Sequence, residues 1–431
     1  MSAVGRALDA APRYLQLLRS QYWRPDQLRA YTERQLARSL AAAARIPFYQ
    51  RHWRGSLKPE DFAGLPILER TDISALNRSV RAMYPARHPF LWGASSGVTA
   101  IEAEFLFDRS RVRGRYAARI RFLRAHGWNP LRRTIFHQVS HRTDSDWVNH
   151  RILPGMTAVS RDLAGQFERM VELDPFYLYM YPSNLEALLL FLEDRSLQLP
   201  SLRLVFTVGE TVDDALRERV RRTLGVEIAD NYGATEGFIA WQCPQGSYHI
   251  NAEHVLVEIV DAAGRQIAPG ETGRVLITTL ENYLMPLVRY DLCDYAIASE
   301  GACRCGRTLP LIGRIAGRKR ILFRAADGRL YFPYILTDTL RLTPEIKQYQ
   351  VVQLSAAAFR IAYVAAGVLN SETQSRIREG FEAALGTPVE IRFERVPEFA
   401  RTRSGKFLKA ISEFTTENAS DRESETEYRM H

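Results

Sequence analysis

The stretch LRLVFTVGETVDDALRERVRRTLGVEIADNYGATEGF, residues 202–238, holds two short apolar segments, LRLVFTVGE and VEIADNYG, on either side of a helix-patterned VDDALRERVRRTLG. Strand, helix and strand at that interval make a βαβ unit, which requires a parallel pair of strands. The unit ends in DNYGATEGF, where a Thr-Glu pair follows a small, kinked Tyr-Gly-Ala and precedes another apolar run.

Upstream, the alternation runs through TIFHQVS, AGQFERMVELD, FYLYMYP and NLEALLLFLED, so a mostly parallel sheet of strands and helices is expected from about residue 90. Before it, PDQLRAYTERQLARSLAAAAR has the apolar recurrence of an amphipathic helix, which Pro47 cannot continue. Downstream, HVLVEIVDAAGRQIAPGETGRVLITTL alternates apolar runs with Gly and Pro clusters and reads as a β subdomain. From about Gly313 a compact α+β stretch runs to about Thr415, and TTENASDRESETEYRMH is too polar to build a core. The expected class is α/β. A large N-terminal domain (1–316) would carry the parallel βαβ sheet and the β subdomain. A small mobile α+β domain (317–415) and a disordered tail (416–431) would follow.

At 431 residues, with 46% hydrophobic and 25% charged content, the composition is that of a soluble globular protein. No apolar run reaches membrane-span length and the N-terminus lacks a secretory core, so a cytoplasmic location without membrane contact is expected. The net charge of +9 is carried by arginines scattered among acids along helices. RSRVRGRYAARIRFLR, the densest run, reads as a solvated helix face rather than a nucleic-acid surface.

Several short segments carry donors and charges suited to a nucleotide. GASSGVTAIEAEF is a Ser/Thr/Gly loop whose backbone could approach phosphate, although it lacks the Walker pattern. In Tyr232-Gly233-Ala234-Thr235-Glu236, a hydroxyl can meet a phosphate oxygen while the adjacent carboxylate holds Mg²⁺. Asp294 in RYDLCD can accept two ribose hydroxyls, and Arg318 in AGRKR offers a planar fork. RTRSGKFLK places Lys406 behind a flexible Ser-Gly.

In that order, these segments resemble the adenylate-forming superfamily of acyl-CoA synthetases, adenylation domains and luciferases. PFYQRHW, LPILERTDI, GETGRVLITTLENYLMPLVRYDLCD and CRCGRTLPLIGRIAGR are similar to the phenylacetate:CoA ligase branch, and RAADGRLYFP to members found in capsule and secondary-metabolite clusters. The resemblance implies that Ser95, Ser96, Gly97, Val98 and Thr99 form the phosphate loop. It puts Gly209, Glu210, Asn231, Tyr232 and Gly233 around the adenine. Thr235 would contact the α-phosphate, Glu236 would bind Mg²⁺, and Asp294 and Arg318 would hold the ribose. Lys406 would bridge the acid and the α-phosphate, and the acyl pocket would include His137, Tyr232, Gly233 and Ala234. The implied activity is ATP-dependent formation of an acyl- or aryl-adenylate from a small carboxylic acid, with transfer to CoA. An amine acceptor giving an amide, or a degenerate nucleotide-binding homologue without turnover, are the alternatives, and a homodimer is the family habit.

The phosphate loop departs from the family's SSGTTGKP, because SSGVTAIE lacks a hydroxyl, a glycine and the basic position. Cys303 and Cys305, with Cys243 and His249 some sixty residues earlier, supply the donors of a closed tetrahedral Zn²⁺ site. His254 could replace His249, and Cys293 would pack near the ribose.

Overall fold

The computed structural model describes residues 3–53, 59–94, 103–137, 150–152, 163–318, 323–325, 330–331, 336, 339–340, 343–399 and 409–414. The expected 416–431 tail lies outside them. The chain divides into two compact units, one ending at Ala316 and one beginning at Gly317.

The first unit opens with α1 (Ala3–Ser20), α2 (Pro25–Ala43), α3 (Pro47–His52) and α4 (Ile73–Arg81). Pro47 does more than stop α2. It occupies the first turn of α3, where its missing N–H would have had no intrahelical partner. A ribbon of β1 (Leu91–Ala94) and antiparallel β2 (Glu104–Phe107) leads into α5 (Arg109–Ala125), which is capped by Asp108 accepting from the Arg111 N–H at 2.9 Å.

The expected alternation then appears: β3 (Thr134–His137), β4 (His150–Ile152), α6 (Leu163–Leu173), β5 (Tyr177–Met180), α7 (Pro182–Arg195), β6 (Leu204–Val208), α8 (Asp214–Leu224) and β7 (Glu227–Gly233). These five strands pair in parallel in the order β4-β3-β5-β6-β7. Six more follow: β8 (Phe238–Gln242), β9 (Tyr248–Ile250), β10 (Val255–Val260), β11 (Thr272–Thr279), β12 (Tyr290–Ala298) and β13 (Leu311–Arg318). They extend the same sheet to eleven strands, in the order β10-β11-β12-β13-β9-β8-β7.

Both faces of the parallel part are buried, which is why its strands read as apolar runs. On one face Ile135, Leu178, Val205 and Ile228 pack against Leu185, Leu188, Leu189 and Leu192 of α7 and Leu216 and Val220 of α8. On the other face Phe136, Tyr179, Phe206 and Ala229 meet Ala117, Ala118 and Phe122 of α5. Phe122 and Phe206 meet edge to face at 5.4 Å, and burying a ring of this size is worth about 2–3 kcal/mol. This packing sets α5 against that face of β5, β6 and β7.

The second unit contains the short ribbon β14 (Phe323–Arg324) and β15 (Leu330–Tyr331), then β16 (Gln348–Gln353), β17 (Ala358–Val364), α9 (Ser371–Leu385), β18 (Glu390–Arg395) and β19 (Ala410–Ser412). Its four-stranded sheet, β18-β17-β16-β19, buries Phe359 and Ile361 with Ile377 and Phe381 of α9.

Candidate functional site

In an open α/β sheet, ligands enter the crevice beyond the carboxyl ends of the parallel strands. Here β6 ends at Val208, and Gly209, at φ +77°, turns the chain in a conformation that suits glycine. That turn delivers Glu210 to the first turn of α7, where Ser183 donates its N–H at 2.8 Å and its hydroxyl at 3.0 Å to the carboxylate. Asn231, near the end of β7, donates to the Thr207 carbonyl at 2.7 Å and the Tyr179 hydroxyl at 3.0 Å. Among the described residues its own Oδ1 is buried without a partner.

Tyr232 alternates to the opposite face, and after it the chain makes a tight hairpin. Ala234 N–H donates to the Gly237 carbonyl at 2.8 Å and Gly237 N–H donates back at 3.3 Å, which leaves Thr235 and Glu236 as the two tip residues. The Thr235 carbonyl is grasped by two guanidinium groups of α5, Arg111 Nη2 and, at 3.4 Å, Arg115 Nη1. Glu236 is turned inward, only 5% exposed, and accepts from the Tyr290 hydroxyl at 3.3 Å. Burial, with Glu236 beside it, pushes the Tyr290 hydroxyl far above the ordinary tyrosine range.

Asp294 is delivered by a bulge. Between the β11–β12 pairs Arg274–Tyr295 and Leu276–Asp291 the register shifts, so the three residues Leu292, Cys293 and Asp294 stand opposite Val275. Cys293 sits at φ +58° and donates its N–H to Asp291 Oδ1 at 2.7 Å, while Arg274 pairs with the other oxygen of Asp291 at 2.6 Å. The bulge is thus held from within β12, and Asp294 Oδ2 accepts from the Tyr232 hydroxyl at 2.7 Å. Segments separated by some sixty residues converge through Tyr232–Asp294 and Glu236–Tyr290.

Of the other expected residues, His137 ends β3 and Arg318 ends β13, but neither side chain is among those described. Ser95, Ser96, Gly97, Val98, Thr99 and Lys406 lie outside the described residues.

One expectation fails. RSRVRGRYAARIRFLR is not a solvated face, because Arg111 is 8% exposed and Arg121 1%, with Arg115 and Arg119 half-buried. Of the arginines of α5 only Arg109, Arg113 and Arg124 are exposed. Arg121 pairs with the fully buried Glu253 at 2.6 Å and donates to Asn251 at 2.6 Å. The signal missed was the spacing Arg111, Arg115, Arg119, which repeats once per turn on one helix face.

A second cluster lies where the turn after β8 and the loop before β13 meet. Cys243 Sγ is 3.7 Å from Cys303 Sγ, Cys305 Sγ is 3.2 Å from His249 Nε2, and one ligand atom from each residue falls within 4.8 Å of the others. The cysteines are free. Burial pushes the Cys243 thiol up to about 11. Partial burial opposes ionisation of Cys303 too, yet hydrogen bonds involving Ser247 and the Cys305 N–H hold it at about 7. Burial holds His249 down to about 4, so its imidazole is neutral near pH 7. His249 Nδ1 faces the Leu309 carbonyl at 3.4 Å, an arrangement that leaves Nε2 as the lone-pair donor toward the thiols. His254, the alternative ligand, is engaged instead with Glu281 and Arg13.

A family model described as AMP-binding enzyme matches residues 135–284. The phenylacetate-coenzyme A ligase of Thermus thermophilus is 27% identical over 350 residues, covering 76% of this chain and 78% of that one. In fold, the chain is similar to 2-hydroxyisobutyryl-CoA ligase crystallised in a postadenylation state, with a TM-score of 0.75 and 19% identity over 91% of this chain and 93% of that one. The fold of the amide bond synthetase of Marinactinospora thermotolerans is more distant, with a TM-score of 0.54 and 15% identity over 79% of this chain and 77% of that one.

Proposed function

We propose that this chain, by sequence and fold an adenylate-forming superfamily protein of the phenylacetate:CoA ligase-like branch, is an ATP-dependent acid:CoA ligase. In the first step a carboxylate oxygen attacks the α-phosphorus of ATP and pyrophosphate leaves, giving an acyl-adenylate. In the second, the CoA thiol attacks the acyl carbon and AMP departs. The observation that carries the reading is the convergence of Tyr232 with Asp294 and of Glu236 with Tyr290 beyond the strand ends.

On this reading Asp294, oriented by Tyr232, accepts the ribose hydroxyls, with Arg318 as its partner there. Gly209, Glu210, Asn231 and Gly233 border the adenine, and Ser95 to Thr99 form the phosphate loop. The Thr235 hydroxyl meets the α-phosphate, its backbone held from behind by Arg111 and Arg115. Glu236 would hold Mg²⁺, which when bound offsets the negative charge of the phosphates. Lys406, on the small domain from 317 to 415, places an ammonium between the two anions that must meet. His137, Tyr232, Gly233 and Ala234 border the acid.

Cys243, His249, Cys303 and Cys305 would hold a structural Zn²⁺. A tetrahedral site with Zn–S bonds of about 2.3 Å requires sulfurs about 3.8 Å apart, close to the observed Cys243–Cys303 separation of 3.7 Å. We place the enzyme in the cytoplasm, as a dimer. Among the described residues no helix is long and apolar enough to cross a membrane.

A second reading keeps adenylation and passes the acyl group to an amine, favoured by the fold likeness to an amide bond synthetase. The test is ATP–pyrophosphate exchange with a panel of acids, followed by CoA or amines. Consumption of the adenylate by amines alone selects the second reading. Retained nucleotide binding without exchange for any acid overturns both and leaves a non-catalytic homologue.

A further inference from the structure

Arg111, Arg115 and Arg119 occur at successive i+4 positions of α5, so their side chains share one face over about 12 Å of helix. That face is turned inward. Arg111 is 8% exposed and the other two are half-buried, yet among the described residues none of the three forms an ion pair with a carboxylate. Among the described residues their polar partners are a single backbone carbonyl, that of Thr235, and Arg119 Nε is buried with no partner. Arginine remains charged inside a protein, and a buried unpaired cation is costly. Burial, with Arg119 beside it, draws Arg115 down to about 10.

The row has a direction. Arg111 lies over the Phe107 ring and reaches the Thr235 carbonyl, while the Arg119 guanidinium lies 6.0 Å from the Tyr179 ring of β5. Arg115, between them, is under the influence of Tyr179, Glu236 and Tyr181. Tyr181 directly follows Met180, whose register partner is His137. The row therefore runs from the hairpin tip toward the strand ends assigned to the acid. A second observation lies in a cavity that Arg111 and Arg115 line together with Glu236, Glu281 and His254: the His254 side chain, 10% exposed, faces it and among the described residues has a buried Nε2 without a partner. Gly114 permits this closeness, since a Cβ there would fall 2.1 Å from Glu281 Oε2 and 2.9 Å from the His254 ring.

We infer that Arg111, Arg115 and Arg119 form an anion-binding wall of the acid pocket, so that the preferred acid carries a second carboxylate or a phosphate besides the carboxylate that is activated. This inference rests on the adenylating reading for the identity of the pocket. A bidentate contact between a guanidinium and a carboxylate or phosphate satisfies both buried partners at once, and a neutral aryl or alkyl tail would leave the cations unpaired.

The test compares matched acids, phenylacetate with 4-carboxyphenylacetate and butyrate with glutarate, on the full-length protein. Pyrophosphate exchange gives kcat/KM, and calorimetry with α,β-methylene ATP gives binding independently of turnover. The dianionic member should be favoured by about tenfold or more, a preference that Arg115→Met and Arg119→Met each abolish and Arg115→Lys partly keeps. In Arg119→Met the KM for the monoanionic acids and the affinity for the ATP analogue should stay unchanged. Preference of the wild type for monoanionic acids overturns the inference. So does an Arg119→Met that weakens the ATP analogue equally with every acid, which would give the row to the triphosphate. If no acid supports exchange, the adenylating reading falls. Calorimetry still decides the wall: dianion binding lost in Arg115→Met supports it, and equal binding in both proteins overturns it. Melting curves of the three variants identify any that fail to fold.

Discussion

The Tyr232 hydroxyl donates to Asp294 Oδ2 at 2.7 Å, joining the end of β7 to the bulge of β12. The contact fixes where a carboxylate proposed to hold the ribose points, and a hydrogen bond to a carboxylate contributes about 1.5–3 kcal/mol.

Tyr232→Phe removes that bond while the ring, 8% exposed, stays packed. ATP affinity should fall by about three- to tenfold while the melting temperature moves little. Nucleotide titration checks this, and an unchanged affinity would separate Tyr232 from the ribose carboxylate.

Glu253 is fully buried and receives Arg121 Nη1 at 2.6 Å, Arg121 Nη2 at 3.0 Å and Ser20 Oγ at 2.6 Å. Glu253→Gln leaves the 1%-exposed guanidinium of Arg121 uncompensated and should cost about 3–5 kcal/mol in urea unfolding. Burial alone would raise this carboxyl, but Arg121 holds it at about 2, below the ordinary 4.5. The stabilisation is therefore complete above pH 4.5 and is lost as pH falls from there toward 2. Glu253→Gln should lack that acid-side loss.

Asp230 has the opposite sign. Burial pushes its carboxyl from 3.8 up to about 6, against hydrogen bonds from Thr207 at 2.6 Å and Tyr248 at 2.5 Å. The folded chain binds this proton more tightly than the unfolded one, so stability falls as pH rises from about 3.8 to about 6 and is flat above. Asp230→Asn removes that fall and should gain on the wild type across the window. Urea midpoints at pH 4 and pH 7 measure it, and parallel profiles for the two proteins would refute it.

Metal analysis of the purified protein should find about one Zn²⁺ per chain, as expected for four-coordinate binding by Cys243, His249, Cys303 and Cys305. Chelation and Cys303→Ser should each lower the melting temperature, and their effects should not add, because both act on one site. Additive losses, or less than about half an equivalent of metal, would reduce the cluster to packed thiols.

The strand and helix order was legible along the chain because apolar periodicity is local: LRLVFTVGE, VDDALRERVRRTLG and VEIADNYG became β6, α8 and β7. The segments proposed for the nucleotide, and the two pairs Cys243 with His249 and Cys303 with Cys305, stand out for a related reason, since each is a short run of residue types, while the gap of some sixty residues between the two pairs is closed only by the fold. Three things were decided only by the tertiary structure. Whether the arginines of α5 meet solvent or the sheet depends on what packs beneath Phe122, and no count of charges along the helix contains that information. His249 rather than His254 joins the thiols because the pairing of β9 with β13 brings it there, while Glu281 claims its neighbour. Asp294 meets Tyr232 because a bulge rotates β12, a change of register invisible until the partner strand is in place. Periodicity sets which elements form, and the long-range pairing of those elements sets which charges are buried and which of them face one another.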